Sequence, residues 1–536
     1  MISATRHLLL ALFVALVLAA TTVDVRAQAD RLLSLDDPAY EYVRRLQRRG
    51  YLPELNPTAL PYTQGEVAAA VARVPKRRLR GPERYWHRAL AERFEWMERD
   101  RRDPRAHVGG MLMAGGAATN NDRLDPLRYA ETDRPILEAG EIRLYPNAAL
   151  QVYFDRSPFV AQLGLRHDVF YDVDPDGLDA VNRLYVRNEE AYVGVNTRIA
   201  SVYLGRFAHH WAPLDVPAVL IGNNPRSYDQ LTFRLGGTRL ALRSVLAELD
   251  AANADGEFTG RADDDAEPPI NRYLAAHRLD WRPTPSVGFS LSESALYSGA
   301  GVSPSIKFLS PVHTFLFLVD NRPKNEEHNG FFAASAWGRW RRATGSLQVM
   351  LDDFDFLNAD EPASLAAVAD VGVTVRPWLD LGATVHAVTA LAYNTHQPEG
   401  RYLYLLRGVA TEFSDFVHVE ASAQIYPGAL PSLSIEPNVH VLWQGEGDVM
   451  DPFPADASGQ ETLLLGIVEQ TTRIATRLRF QPDPRAWMGV DLGVNLVRNE
   501  GHATGEESVR FIGLFEFGLR LSLDRPYGLA FDDGRH

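Results

Sequence analysis

The stretch Gln230-Leu-Thr-Phe-Arg-Leu-Gly-Gly-Thr-Arg-Leu-Ala-Leu-Arg243 has the pattern of two β-strands joined by a tight turn. Gly236-Gly237 predicts a two-residue turn, because glycine reaches the φ > 0 conformations that tight hairpins require. A turn there places Leu235 opposite Thr238 and gives the hairpin one apolar face. The other face is polar and carries Arg234, Arg239 and Arg243. Such a hairpin separates a core from water in a soluble sandwich, or lipid from a wet lumen in a membrane barrel.

The first 29 residues have the pattern of a secretory signal peptide. Arg6 and His7 precede an apolar run at 8–20, and Ala27-Gln-Ala29 offers a small-x-small cleavage site. The run is shorter than the roughly 20 helical residues that cross a bilayer, which disfavours the alternative of a membrane anchor. We therefore expect residues 1–29 to be removed on export. No later stretch is a long apolar helix, so a membrane protein with this sequence must be a barrel.

The composition of the chain limits the kinds of cross-link, metal site and binding partner that the protein can have. The chain has no cysteine, which excludes disulfides and thiolate metal sites. Its formal net charge is −14, yet residues 30–105 hold seventeen Lys and Arg against twelve Asp and Glu. The acidic surplus elsewhere argues against nucleic acid as a partner. The basic N-terminal part suits anionic headgroups or phosphates, or else it is an ordinary solvated helical surface.

Residues 30–105 have the pattern of a small helical bundle. Asp36-Asp-Pro38 begins a first helix that Gly50 ends. The capping box Thr63-Gln-Gly-Glu66 begins a second, and a third begins at Pro82 and ends before Pro104. Each helix carries an apolar stripe, so the three must pack on each other or on something larger.

Residues 106–524 alternate between apolar and polar side chains, with turn signals between segments of about ten residues. This pattern predicts an all-β transmembrane barrel of about 18 antiparallel strands, followed by a tail at 525–536. The predicted strands are 107–117, 141–154, 159–172, 185–196, 199–206, 228–235, 238–249, 271–283, 286–297, 331–341, 345–355, 365–376, 379–391, 415–426, 432–444, 462–480, 486–497 and 509–523.

The connections between these strands alternate between short and long. With the helical bundle in the periplasm, every short turn falls on the periplasmic side and every long loop outside the cell. The stretch 402–413 could be a strand of its own, but it is assigned to an extracellular loop because a strand there would break the alternation. The even strand number agrees with that of single-chain bacterial barrels.

Several motifs resemble the Wzi-type capsule assembly family of outer-membrane proteins. They are Tyr40-Glu-Tyr-Val-Arg-Arg-Leu-Gln-Arg-Arg-Gly50, Leu60-Pro-Tyr-Thr-Gln-Gly-Glu66, Leu204-Gly-Arg-Phe-Ala-His-His-Trp-Ala-Pro213, Leu220-Ile-Gly-Asn-Asn-Pro225, His277-Arg-Leu-Asp-Trp-Arg282, Ser290-Leu-Ser-Glu-Ser-Ala-Leu-Tyr297 and Gln348-Val-Met-Leu-Asp-Asp-Phe354. The resemblance implies an eighteen-stranded outer-membrane barrel of a Gram-negative bacterium with a periplasmic helical bundle. It also implies a lectin-like, non-catalytic role in binding and organising capsular or other surface polysaccharide.

The loop at 206–224 is the predicted polysaccharide site. Sugars stack on aromatic faces and bind through their hydroxyls to carboxylate, amide or guanidinium groups, and this loop has such a mixture of residues. The candidates are Arg206, His209, His210, Trp211 and Asn223. The alternative is that Trp211 packs against its neighbours. A metal site at His209-His210 is less favoured, because adjacent residues diverge on a strand and no carboxylate lies nearby.

A second predicted feature is a network of charges on the lumen side of the strands. Its members are Arg234, Arg239, Arg243, Arg473, Arg477, Asp491 and Glu516, and Arg479 and Asp380 share that placement. Two interpretations stay open at this point. The charges either brace a filled lumen by pairing with each other, or they form a track for a ligand.

The sequence predicts no catalytic site, no metal and no cofactor. It lacks Gly-x-Ser-x-Gly, His-Glu-x-x-His and a phosphate loop. Asp172-Val-Asp-Pro-Asp-Gly177 resembles half of a calcium loop, but Arg183 stands where an EF-hand needs glutamate. A looser extracellular calcium site and ordinary turn chemistry both stay open as interpretations of this stretch. The alternative functions are a diffusion channel or solute-specific porin and a barrel hydrolase, whose Ser/His/Asp or calcium-dependent site the sequence does not locate. A periplasmic or export-machinery partner is not identified.

Overall fold

The computed structural model describes most of the chain after the predicted signal peptide. The described residues are 31–94, 106–120, 127, 142–156, 158–168, 186–197, 199–252, 270–309, 314–315, 327–352, 364–405, 407–411, 413–451, 453–454, 461–483 and 485–522. The predicted signal peptide, the calcium-like loop at 172–183 and the tail at 525–536 lie outside them. No helix among the described residues is both long and apolar enough to cross a membrane.

Three helices form the N-terminal domain: α1 at Ala39–Arg48, α2 at Gln64–Ala72 and α3 at Pro82–Phe94. The predicted capping box is present, because the Thr63 side chain accepts the Glu66 N–H while the Glu66 carboxylate accepts the Thr63 N–H. The helices share one apolar cluster that is centred on Trp86, which is fully buried. The three predicted helices are thus confirmed.

Eighteen antiparallel strands form one closed sheet, in which β1 pairs with both β2 and β20. Closure satisfies the backbone groups that an open sheet edge would expose to lipid. The strands are β1 Ala106–Thr119, β2 Ile142–Arg156, β3 Phe159–Asp168, β4 Val186–Asn196, β5 Ala200–Phe207, β6 Tyr228–Gly236, β7 Leu240–Glu248, β8 Ile270–Thr284, β9 Val287–Ala300, β10 Glu327–Trp340, β11 Ala343–Asp352, β12 Ser364–Arg376, β13 Leu379–Val388, β16 Phe416–Ile425, β17 Leu433–Gln444, β18 Glu469–Asp483, β19 Ala486–Arg498 and β20 Glu507–Ser522.

All eighteen predicted strands are confirmed. The stretch 402–413 belongs to a loop, as predicted, and contains only a small hairpin of β14 Leu403–Tyr404 and β15 Arg407–Gly408. The short connections, such as 237–239 and 341–342, lie at one end of the barrel, which we call the short-turn end. The loops 208–227, 389–415 and 445–468 start from the other, the long-loop end.

The register of the hairpin between β6 and β7 differs from the prediction. Leu235 pairs with Leu242 instead of Thr238, and the chain reverses through 237–239. The Gly236 N–H donates to the Ile199 carbonyl at 2.8 Å, so the neighbouring turn helps to set the register. At φ 110°, Gly236 also approaches Leu240 so closely that a Cβ would lie 2.3 Å from its carbonyl oxygen. The shift is even, so the predicted faces are retained.

The outward positions of the wall form an apolar belt, as expected of a surface that faces lipid. Leu204, Leu291, Ile474 and Leu492 are about half exposed or more, although they are large aliphatic side chains. Aromatic side chains border the belt at the short-turn end, where they are exposed: Trp281, Phe289, Trp340 and Trp378. Aromatic residues at this position are typical of a membrane–water interface.

Candidate functional site

The helical domain lies inside the short-turn end of the barrel. Arg49 of the segment after α1 donates to the Asp380 carboxylate on the lumen wall at 2.8 Å. The indole of Trp86 packs edge-on against the Tyr426 ring, with 4.8 Å between the ring centroids. On another side of the barrel, the Leu32 N–H donates to the Tyr192 hydroxyl at 2.9 Å. The domain is therefore fixed to the lumen wall on several sides.

The loop 208–227 enters the lumen from the opposite end and meets this domain. Leu60 donates its N–H to the His210 carbonyl at 3.0 Å, and His210 donates back to the Leu60 carbonyl at 3.3 Å. Arg44 and Arg48 of α1 both bind the Asp215 carboxylate. Burial alone would raise the pKa of Asp215, but the two guanidinium groups outweigh it and lower the pKa. Asp215 is therefore ionised at neutral pH and holds the loop to the helices.

Arg278 of β8 connects the loop, the wall and the helical domain. Its guanidinium donates to the Trp211 carbonyl at 3.0 Å, to the Thr58 hydroxyl at 2.6 Å and to the Asp280 carboxylate at 2.8 Å. It also lies over the Trp211 ring, 5.6 Å from the ring centroid. Arg278 is fully buried, so these partners compensate for the loss of its hydration.

The five predicted polysaccharide-binding residues are not brought together. Arg206 points outward at the long-loop end, where it forms an ion pair of 2.6 Å with Asp229. His209, His210 and Trp211 instead face the lumen. The Trp211 side chain is only 5% exposed, as the packing alternative describes, and the backbone N–H of Trp211 donates to the Ile221 carbonyl at 2.9 Å. Asn223 is exposed. Sugar binding by this set stays a prediction, but Trp211 offers no open ring face in this structure.

Burial also sets the ionisation of the two histidines. Burial lowers the pKa of His209 to about 4 and lowers that of His210 as well, so both rings are neutral at pH 7. The His210 Nε2 atom lies 3.1 Å from the Pro213 carbonyl and 3.0 Å from the Val216 carbonyl, which requires a proton on Nε2. These contacts within the loop 208–227 stabilise its conformation.

Most of the predicted lumen charges are paired. Arg243 binds Asp280 at 2.9 Å, and Asp491 binds Arg473 at 3.0 Å and Arg477 at 3.4 Å. Arg479 lies 3.8 Å from Glu41 of α1. This pairing favours the interpretation in which charges brace a filled lumen.

Three members of the predicted network differ from the rest. Arg239 lies exposed in the turn 237–239, so its assignment to the lumen network was wrong. Glu516 accepts the indole N–H of Trp487. Arg234 donates to the Gly236 carbonyl at 3.3 Å and lines a cavity. The prediction assumed a two-residue turn at Gly236-Gly237. The observed register pairs Gly236 with Ala241 and so places Arg239 in the turn.

Two cavities flank the helical domain inside the barrel. One of about 720 Å³ lies beside β5 to β8 and is lined by Glu66, Arg234, Arg243 and Asp280 among others. Another of about 680 Å³ lies beside the β1 to β4 wall and is lined by Asp37, Arg93, Arg166 and Glu190 among others. Both have charged walls that suit water and polar solutes.

The loops 208–227, 389–415 and 445–468 cover the long-loop end, and we call this layer the roof. Gly222 donates its N–H to the Val409 carbonyl at 2.9 Å, which joins the first two loops. The Asp415 carboxylate accepts the N–H groups of Gly447 at 3.0 Å and Leu465 at 2.9 Å, which joins the last two. The barrel is thus covered at the long-loop end and filled at the short-turn end.

The roof exposes groups that the sequence analysis did not single out. The exposed His396 ring lies against Phe453, with 4.1 Å between the ring centroids, and Gln397 beside it is exposed. Asn223 is exposed on the same layer. Its neighbour Asn224 is buried and donates to the Gly408 carbonyl at 2.8 Å. Loops lack the hydrophobic alternation that locates strands. The aromatic and amide residues of these loops were therefore the only sequence signal for the roof surface. Within the described residues, no group of three or more His, Asp or Glu side chains could hold a metal ion.

The fold is similar to that of solved barrel structures. No protein-family model matches the sequence, and no curated protein matches it either. Wzi of Escherichia coli, described as an outer membrane protein involved in group 1 capsule assembly and as a carbohydrate-binding β-barrel, aligns with 93% of this chain and 100% of its own. That similarity has a TM-score of 0.59 at 11% identity. OccD3 (OpdP) of Pseudomonas aeruginosa aligns with 78% of this chain and 91% of its own, with a TM-score of 0.46 at 8% identity. The chain therefore has a closed barrel of eighteen antiparallel strands with the fold seen in Wzi.

Proposed function

We propose that this protein is an outer-membrane barrel that binds capsular or other surface polysaccharide and holds it at the cell surface, a role that is itself non-catalytic. The observation that carries the proposal is the junction inside the lumen. Leu60 of the helical domain and His210 of the roof loop are hydrogen-bonded to each other there, which suits a binding barrel better than a channel. The fold likeness to Wzi, which is described as carbohydrate-binding, supports the same function.

The proposed orientation puts the helical domain in the periplasm and the roof outside the cell. The predicted signal peptide supports export, and the apolar belt supports lipid as the surrounding medium. Short turns on the periplasmic side and longer loops outside are the usual arrangement of such barrels.

The proposed binding surface is the exposed side of the roof. His396 and Phe453 offer ring surface for the C–H face of a sugar, and Asn223 and Gln397 offer amide groups for its hydroxyls. Trp211 supports this surface from below by packing. Arg206, with its carboxylate partner Asp229 on the outer rim, would contact polysaccharide or lipid headgroups there.

A diffusion channel is the second candidate. The observation that favours it is the pair of charged cavities, of about 720 and 680 Å³, beside the helical domain. A solute path along these cavities would have to bypass the junction between the helical domain and the roof loop.

Two measurements on the purified full-length barrel separate the candidates. Glycan-array binding with acidic and neutral capsular polysaccharides is expected to give a positive signal, and a planar bilayer is expected to show no steady conductance. Steady conductance without glycan binding would reverse the assignment. The His396→Ala variant, which leaves the barrel wall intact, is expected to reduce the glycan signal.

A further inference from the structure

A segment of the loop between β9 and β10 covers the outer wall of the barrel. Its described residues, 302–309 and 314–315, form what we call the strap, which includes the short helix α4 at Ile306–Leu309. Phe308 stacks on Tyr297 of β9, with 4.1 Å between the ring centroids. Tyr297 alternates in phase with Leu291, which is 65% exposed on the lipid-facing side. The strap therefore lies outside the barrel, against wall positions that would otherwise meet lipid.

Under the strap, three polar residues form a row across three neighbouring strands. Ser244 of β7 pairs with His277 of β8, and His277 pairs with Glu293 of β9. Directly paired residues share a face, and their Cβ atoms lie about 5 Å apart. Leu279 and Leu291, two residues further toward the short-turn end, are exposed on the same outward face. The row therefore faces outward, like the lipid-exposed leucines beside it.

Hydrogen bonds connect His277 to Glu293 and connect Glu293 to the strap. The His277 Nδ1 atom lies 3.1 Å from Oε1 of Glu293, and Oε2 of Glu293 accepts the Phe315 N–H of the strap at 2.8 Å. The Phe315 ring covers the imidazole, with 4.5 Å between the ring centroids. Within the row, the Ser244 hydroxyl oxygen and His277 Nε2 are buried atoms that have no hydrogen-bond partner. Ser244, His277 and Glu293 are 1%, 4% and 8% exposed.

Attachment of the strap explains only part of this arrangement. It accounts for Glu293, which accepts the strap's N–H, and for the histidine beside it. It leaves a buried hydroxyl and a buried ring nitrogen unsatisfied on adjacent paired positions, and such groups are unfavourable in a folded protein unless they serve another purpose. Serine hydrolases combine a carboxylate that orients a histidine through Nδ1 with a serine next to the histidine Nε2. The same three residue types occupy directly paired positions here, with Ser244 on the opposite side of His277 from Glu293 and not hydrogen-bonded to it.

We propose that Ser244, His277 and Glu293 form a serine-hydrolase site on the outer wall of the barrel, which opens toward membrane lipid when the strap lifts. Ser244 is the nucleophile, His277 is the general base, and Glu293 is a positioning residue. This function is separate from polysaccharide binding at the roof. The strap covers the site in the closed form seen here.

The substrate class follows from the position of the row. Glu293 lies four residues after Phe289, which borders the belt at the short-turn end, and is thus about 13 Å further along the strand at roughly 3.3 Å per residue. A strand tilt of about 40° turns this into a height of about 10 Å, which is near the middle of an apolar belt of about 25 Å. Acyl chains of membrane lipids surround wall positions at this depth. The substrate class is therefore an ester with a long acyl chain that can reach the row.

The chemical steps need only water as a co-reactant. The Ser244 oxygen bonds to the ester carbonyl carbon while its proton moves to His277 Nε2. The bond from that carbon to the alcohol oxygen then breaks, and His277 returns the proton to the leaving alcohol. Water attacks the resulting acyl-serine, again with His277 as base, and releases a fatty acid and free Ser244.

The test uses the full-length barrel in detergent micelles and a long-chain alkyl fluorophosphonate, which labels activated serines. We expect labelling at Ser244, identified by mass spectrometry, and at least tenfold faster labelling in Phe315→Ala, which removes the ring over His277. Ser244→Ala and His277→Ala are expected to lose at least about 100-fold in labelling rate. Ser290→Ala is the matched control, because Ser290 is a buried serine of β9 that contacts Ser335 instead.

The positioning role of Glu293 must be tested by a measurement that would not change if Glu293 only attached the strap. Glu293→Gln can still accept the Phe315 N–H through its amide oxygen, so the strap is kept, but labelling is expected to fall. Glu293→Asp is expected to restore part of the rate. Hydrolysis of a long-chain 4-nitrophenyl ester by the same variants is expected to follow the labelling rates.

Each result decides the proposal once heat-modifiable migration has shown that the variants are folded barrels. Labelling that persists in Ser244→Ala would overturn it, because another serine would then be reactive. Absence of labelling in both the wild-type and Phe315→Ala barrels would also overturn it and leave the row as an attachment point for the strap. Equal labelling of Glu293→Gln and wild type would remove Glu293 from the site.

Discussion

Leu60 and His210 exchange both backbone hydrogen bonds inside the barrel, at N···O distances of 3.0 and 3.3 Å. Leu60 belongs to the helical domain at the short-turn end, and His210 belongs to a loop from the long-loop end. The two layers therefore support each other within the lumen. This contact, with the ion pairs of Asp215 beside it, is the structural basis for the closed lumen that we propose.

Replacing Asp215 by Asn is expected to loosen this junction. Arg44 and Arg48 would lose their shared carboxylate and remain close to each other as like charges. In planar bilayers we expect brief conducting events that are rare in the wild-type protein. Asp229→Asn is the control, because it breaks an ion pair on the outer rim instead. A wild-type barrel that conducts steadily would contradict the closed lumen.

The free-energy cost of a charged side chain on the lipid-facing wall is expected to depend on its depth in the membrane. Phe515 lies near the middle of β20 and Leu521 near its end, and the two side chains are 41% and 45% exposed. Phe515→Arg is expected to cost about 2–4 kcal/mol of folding free energy, and Leu521→Arg about 0–1 kcal/mol. Urea titration of folding into lipid vesicles measures the difference. Equal costs would show that the belt is wrongly placed.

Acid is expected to destabilise the junction through His209. Its pKa is lowered to about 4 by burial, from an ordinary value of 6.5, so the unfolded chain binds more protons between these values. Stability therefore falls as the pH drops from about 6.5 to 4, by on the order of 1–3 kcal/mol. The pKa of Asp215 is lowered as well, so its contribution is lost only as the pH falls below about 4.

The urea midpoint of tryptophan fluorescence at pH 7 and pH 4.5 measures this effect. Wild type is expected to lose more stability between the two pH values than His209→Gln, which has no titrating ring. His396→Gln serves as the control, because it removes an exposed imidazole. An identical acid response of wild type and His209→Gln would assign the effect to other groups.

Glycan binding is expected to depend on the roof surface. Asn223→Ala and His396→Ala are each expected to weaken polysaccharide affinity by roughly 1 kcal/mol, about fivefold, with an unchanged folded barrel. Isothermal titration with the polysaccharide identified by the array measures this loss. Trp340→Ala is the control, because Trp340 is 71% exposed at the opposite end. Unchanged affinity in both roof variants would exclude this surface.

Trp211→Ala is expected to act on stability first. Its side chain is buried against the roof cluster and Arg278, so truncation would leave a cavity and cost about 3–5 kcal/mol. A lower urea midpoint is therefore expected before any loss of binding. Normal stability combined with lost glycan binding would instead support the sugar-stacking role that the sequence suggested.

Local patterns determined the architecture. Alternation with period two marks each strand by itself, so eighteen strands were predictable without knowledge of their partners. The capping box at Thr63 is equally local, and the structure confirms it. The lumen-side placement of Arg243, Arg473 and Asp491 followed from the same alternation, because side-chain faces depend only on parity.

Tertiary structure decided everything that depends on which distant segments meet. Loop 208–227 could not be placed inside the barrel from its sequence, because a loop carries no period that indicates its direction. The pairing of Leu235 with Leu242 depends on hydrogen bonds from the neighbouring turn. The row of Ser244, His277 and Glu293 exists only because the registers of three strands coincide and a fourth segment covers them. Strand faces are local properties of the sequence, whereas register and loop packing are set by contacts between remote parts of the chain.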